Sequence, residues 1–111
     1  VLEEKVLYMS LDNVTIIKKD GTVEQFNPEK IKRAVSKSAA RVLVDFTAGD
    51  LEMIIADVER SIEESKLESI TIPQMHNFVE GALDKNFPRV AKSYRDYRNY
   101  KQDFVHMLDE V

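Results

Sequence analysis

The 111-residue chain has no cysteine and no tryptophan, and it has only three glycines and three prolines. Without cysteine there is neither a disulfide nor a thiolate metal site. Its two histidines, His76 and His106, are far apart with no carboxylate at ligand spacing, so no metal centre is expected. The motif G-x-x-x-x-G-K-[ST] is absent, which excludes a P-loop NTPase. No Ser/His/Asp or Cys/His set can be assembled, so catalysis by this chain alone is not expected. No apolar run approaches the roughly 20 residues of a membrane span. Val1-Leu2 is followed by Glu3, Glu4 and Lys5 rather than by a secretory pattern, so a cytoplasmic protein without a membrane partner is expected. The net charge of −4 lacks the basic field that broad nucleic-acid binding requires, and no direct nucleic-acid partner is expected. The chain starts without Met and stops within an amphipathic pattern, so it reads as a piece of a longer protein.

What is present begins with two short apolar-rich runs, Val14 to Ile17 and Val23 to Phe26, separated by Asp20-Gly21. Asp-Gly between such runs predicts a hairpin with a type I′ turn. That register sets Lys18 opposite Val23 and Ile17 opposite Glu24. Val14, Ile16, Lys18 and Val23 then share one face, and Ile17, Lys19, Glu24 and Phe26 share the other. Asn27-Pro28-Glu29 starts a helix, with Asn27 as cap and Pro28 at the first position. Ile31, Ala34, Val35, Ser38, Ala39 and Val42 form its apolar stripe. Thr47 with Asp50 reads as a capping box opening a second helix to about Ser65. Ser69 to Ile72 alternates like a third strand, and Thr71 with Gln74 caps a third helix to about Lys85. Asn86-Phe87-Pro88 breaks it. The last helix carries Val90, Tyr94, Tyr97, Lys101, Phe104, Leu108 and Val111 on a heptad seam that Lys101 interrupts. Residues 1–12 read as a short strand from Lys5 to Leu11 or as linker. The expected fold is α+β: a hairpin, three-stranded if Ser69 to Ile72 joins it, capping four clustered helices.

Charge is segregated. Lys30, Lys32, Arg33 and Lys37 decorate the first helix, and residues 85–101 carry Lys85, Arg89, Lys92, Arg95, Arg98 and Lys101 against only Asp96. The second helix is acidic at Glu52, Asp57, Glu59, Glu63 and Glu64, an ordinary solvated face. A cationic first turn opposes the helix's own dipole, and a bound anion would relieve it. Two cationic stretches apart in sequence suit a polyphosphate clamp, in which Arg offers a planar fork and Lys a point charge. A solvated basic face is the plainer reading of the same residues.

The run I-x-K-K-D-G-x-x-x-x-F-N-P-E-K-I-K-R-A-V resembles the start of the ATP-cone domain. The resemblance continues through T-I-P-Q-M-H-N-F-V-E-G-A-L and V-A-K-S-Y-R-D-Y-R, from about Val14 to Arg98. That family includes the regulatory module of ribonucleotide reductase large subunits and also occurs in the repressor of reductase genes. The resemblance implies ATP and dATP as allosteric ligands, accompanied by magnesium and bound without hydrolysis under the hairpin as a lid. Lys18 and Lys19 would touch phosphates from the lid, Lys19 standing where Arg is frequent. Ile16 and Ile31 would line the base pocket, and Glu24 and Asn27 would bond base or sugar. Lys30 would be a main phosphate ligand, Thr71 and Met75 the opposite wall, and Lys92 or Arg98 the closing cation. The domain would span 13–100, with 101–111 continuing towards a downstream catalytic domain of a homo-oligomeric reductase. The alternatives are a helical interaction module and the nucleotide sensor of a repressor of reductase genes.

Overall fold

The computed structural model describes residues 14–109, and side chains as far as Arg98. Strand β1 (Thr15–Ile17) pairs antiparallel with β2 (Val23–Gln25), and the turn between them decides which side chains face inward. Asp20 accepts the Thr22 N–H at 3.0 Å and the Thr22 hydroxyl at 2.6 Å, which fixes the turn locally. Only Gly21 takes a positive φ there, 87°, and Asp20 does not. The connection is therefore a three-residue loop with glycine in the left-handed position, not the expected type I′ turn. The register moves by one residue: Ile17 faces Val23 and Ile16 faces Glu24. A slip of one exchanges faces. Val14 and Ile16 enter the core with Phe26 packed against it, while Val23 is 63% exposed.

The third strand is present. β3 (Ser69–Thr71) pairs in parallel with β1, Ile16 beside Ile70, giving the sheet order β2-β1-β3. The helices follow the sequence signals closely. Helix α1 (Pro28–Arg41) starts at Asn27, whose side chain accepts the Glu29 N–H, and buries Ile31, Val35, Ser38 and Ala39. Helix α2 (Ala48–Ser65) has the Thr47/Asp50 capping box and ends at Lys66 in the left-handed region. Helix α3 (Ile72–Asn86) grows directly out of β3 through the Thr71/Gln74 capping box. Helix α4 (Pro88–Asp109) is the longest. It lies along α1, where the buried Ser93 hydroxyl donates to the Ser38 carbonyl at 2.8 Å. The expected strand or linker at residues 1–12 and the seam beyond Tyr97 fall outside the described residues or side chains.

One core joins the layers. Val35, Ile54, Val58, Ile62, Ile70, Val79, Leu83 and Val90 are almost wholly buried, so sheet and helices share it. Ile70 sits where β3, β1 and α3 meet and is fully buried. Ile70→Ala should cost about 2–5 kcal/mol of unfolding free energy, measured by urea denaturation, because it removes apolar contacts and leaves a cavity.

Candidate functional site

Parallel strands place their carboxyl ends side by side. The chain leaving β1 carries Lys18 and Lys19, and the chain leaving β3 enters the first turn of α3. A hollow of about 610 Å³ opens between them, lined by Ile17, Lys18, Lys19, Thr71, Ile72, Pro73, His76, Asn77 and Arg98. That volume lies within the ordinary range for a small-molecule site. The α3 amino end, its Gln74 N–H already taken by the Thr71 hydroxyl, contributes the positive end of the helix dipole, and two lysines and an arginine line the same space. The lining is thus cationic on two sides, from Lys18 and Lys19 and from Arg98.

Helix α4 completes it. Arg98 approaches Glu80 of α3 at 2.6 Å, and Arg95 lies 3.7 Å from Glu80 and 3.8 Å from Asp84. The Glu80 side chain is 12% exposed. Its Oε1 meets the Arg98 charge but receives no directed hydrogen bond among the described residues. Glu80 thus holds the guanidinium at the edge of the hollow without using all its donors. Beside it, His76 Nδ1 and the Tyr94 hydroxyl are 2.7 Å apart, and their rings meet edge to face. Burial, and then the neighbouring Arg98, hold His76 below its ordinary 6.5. Burial, and then Glu80, push the Tyr94 hydroxyl up to about 12. Both groups are neutral near pH 7.

The sequence candidates separate into three sets. Lys18, Lys19, Thr71 and Arg98 line the hollow together. Glu24, Asn27 and Lys30 stand at its lid side. Glu24 pairs with Lys18 at 3.3 Å and with Lys30 at 3.2 Å, and these lysines, Lys30 foremost, hold its carboxyl below the usual range. Asn27 is occupied as the α1 cap. Ile16, Ile31, Met75 and Lys92 are elsewhere. Ile16 and Ile31 are core residues, 4% and 8% exposed, and Ile17, on the opposite face of β1, lines the hollow. Met75 is four residues before Val79, on the stripe of α3 that packs on the core. Lys92 is six residues before Arg98, about 120° around α4, and pairs with Asp96 at 2.8 Å.

Ile17, Ile72, Pro73, His76 and Asn77 were not among the sequence candidates. Pro73, His76 and Asn77 sit at i, i+3 and i+4 just past the helix cap, and that spacing was the available signal.

Fold and hollow together define a small α+β module with a cation-lined hollow between a strand turn and a helix start. The chain belongs to the ATP cone domain family, whose profile matches residues 14–103. This is a nucleotide-binding family, and no helix of the described residues is long and apolar enough to cross a membrane. The chain is 29% identical over 100 residues to the transcriptional repressor NrdR of Synechococcus sp. (strain CC9311), covering 86% of this chain and 61% of that protein. Its identity to the NrdR of Streptococcus agalactiae serotype Ia is 36% over 88 residues, 73% of this chain and 54% of the other. For the NrdR of Desulforapulum autotrophicum it is 27% over 102 residues, 88% and 60%. The chain thus spans 54–61% of the length of these relatives. They are named transcriptional repressors, which corrects two expectations: the regulatory fragment of a reductase with a catalytic domain downstream, and a protein without a direct nucleic-acid partner.

The His76 environment gives a pH dependence. The folded chain disfavours protonated His76, so below the ordinary 6.5 the unfolded chain binds more protons and stability falls with pH. Between about pH 7.5 and 5.5 the melting temperature of the unmodified chain should drop more than that of His76→Gln, which keeps a partner for Tyr94. Equal slopes would contradict the assignment.

Proposed function

We propose that this chain is the nucleotide-sensing domain of a transcriptional repressor, taking ATP or dATP into the hollow beneath the hairpin without hydrolysing it. The observation that carries this reading is the meeting of Lys18 and Lys19, the α3 amino end and Arg98 at one cavity of about 610 Å³. The lysines and Arg98 would bind phosphate oxygens by charge-assisted bonds, with the positive end of the α3 dipole beside them. Ile17, Ile72 and Pro73 would supply apolar surface, and His76 and Asn77 polar edges for sugar or base. Glu24, Asn27 and Lys30 would set the lid side. Among the described residues no group of three or more His, Asp or Glu stands together as a metal site, so magnesium would arrive on the phosphates.

A ligand reports its presence only through different affinities for two states of its protein. A ligand in the hollow would touch both the β1 turn and Arg98 of α4, so occupancy would tie the sheet to α4. A coupling of roughly 1–3 kcal/mol suffices for graded control. ATP and dATP differ by one hydroxyl, so discrimination rests on whether that group finds a partner.

Calorimetric titration with ATP and dATP tests the reading. Lys18→Ala and Arg98→Ala should each weaken binding by roughly 10-fold or more, the worth of one hydrogen bond to a charged group. Lys92→Ala should change it less than about 2-fold, since Lys92 lies off the hollow. Absence of heat from the unmodified chain, or loss on Lys92→Ala but not on Arg98→Ala, would overturn it.

A further inference from the structure

The exposed side of α1 is cationic over three turns. Lys30, Arg33, Lys37 and Arg41 follow at steps of three, four and four residues. They occupy an arc of about 80° and a length of about 16 Å, and no other α1 residue falls in that arc. All four are exposed. Lys30 is engaged by Glu24 at the lid. Arg33, Lys37 and Arg41 have no carboxylate in ion-pair contact among the described residues. The one acid of α1, Glu29, turns to Lys32 instead. Arg41 lies over the Tyr97 ring, 5.0 Å from its centre. Asp96, the nearest acid on α4, is taken by Lys92. Exposed Arg89 donates to the Val42 carbonyl at 2.9 Å and carries the basic ridge past the end of α1. The net charge of −4 conceals this ridge because the acids gather on α2.

Like charges four residues apart oppose their own helix, as Arg33 with Lys37 and Lys37 with Arg41 do here. Arg41 also stacks on the Tyr97 ring, and none of the three lines the hollow. We infer that the α1 ridge of Arg33, Lys37 and Arg41 docks on the phosphate backbone of duplex DNA. A regular row of cations on a rod complements a regular row of phosphates, and two guanidinium forks among them suit phosphate oxygens. A triphosphate is too short to cover the ridge. Contacts of this kind position a protein on DNA without reading bases. That DNA is the polyanion rests on the repressor reading, whereas the ridge itself does not.

The test uses the 111-residue chain and a labelled duplex of arbitrary sequence, read by fluorescence anisotropy from about 20 to 150 mM salt. Three contacts predict a log–log salt slope of about −2.7, hence more than 100-fold weaker binding across that range. The combined variant Arg33→Gln, Lys37→Gln, Arg41→Gln should bind at least 10-fold more weakly at the low-salt end and lose most of the slope. Lys30 is left unchanged because it belongs to the lid. No binding at low salt, or an unchanged slope in the variant, overturns the inference. So does sedimentation showing that the substitutions dissolve a self-associated form while duplex is ignored, which would assign the ridge to the acidic α2 face of a second copy. ATP calorimetry on the unmodified chain keeps the readings apart: heat with ATP but no DNA binding removes the DNA face and leaves the sensor reading intact.

Discussion

The parallel pairing of β1 with β3 is the constraint from which the rest follows. It brings Ile16 against Ile70 in the core, and it sets the exit of β1 beside the exit of β3. One exit is a turn bearing two lysines, and the other is the capped start of a helix. Their adjacency sets the lysines beside the positive end of the α3 dipole. An antiparallel pairing of the same strands would put Lys18 and Lys19 at the far end of the sheet from α3. The capping box at Thr71 matters for the same reason. It starts α3 at the sheet edge, so no loop separates the strand end from the helix dipole.

The electrostatics are arranged in two layers around that site. Cations of the lid are held by Glu24, and the cation of α4 is held by Glu80. The two carboxylates differ in setting. Glu24 belongs to an exposed, salt-screened cluster whose pairs exchange readily. Glu80 is nearly buried, so its hold on Arg98 is geometrically defined and costly to break. The turn side is held by exposed pairs and the α4 side by a nearly buried one. His76 and Tyr94 fill the space between as a neutral pair, which limits repulsion among the cations before a ligand arrives.

Local chemistry explains why some of this could be read from the chain and some could not. Asn27, Thr47, Thr71, Asp50 and Gln74 announce three helix starts, because capping depends on neighbours within four residues. The hairpin was placed correctly but shifted by one residue, since Asp-Gly also suits a three-residue loop in which only the glycine is left-handed. The faces of β1 do not depend on that register: Ile16 enters the core and Ile17 lines the hollow because successive strand side chains alternate. Met75 and His76 show the same sensitivity: adjacent residues on a helix point about 100° apart, and only contact with α4 decides which one faces the site. The kind of protein was misjudged for a different reason. The residues that resemble an ATP cone concern nucleotide binding, which reductase modules and repressors share, so they could not choose between them. The relatives made that choice.

The central claim is that one ligand joins the β1 turn, the start of α3 and the middle of α4. Residue-resolved amide spectra recorded while ATP is added test it most directly. The account predicts the largest changes at Ile17, Lys18 and Lys19, across Ile72 to Asn77, and around Arg98. Changes confined to α2 and the exposed side of α1, or none at saturating ATP, would contradict it.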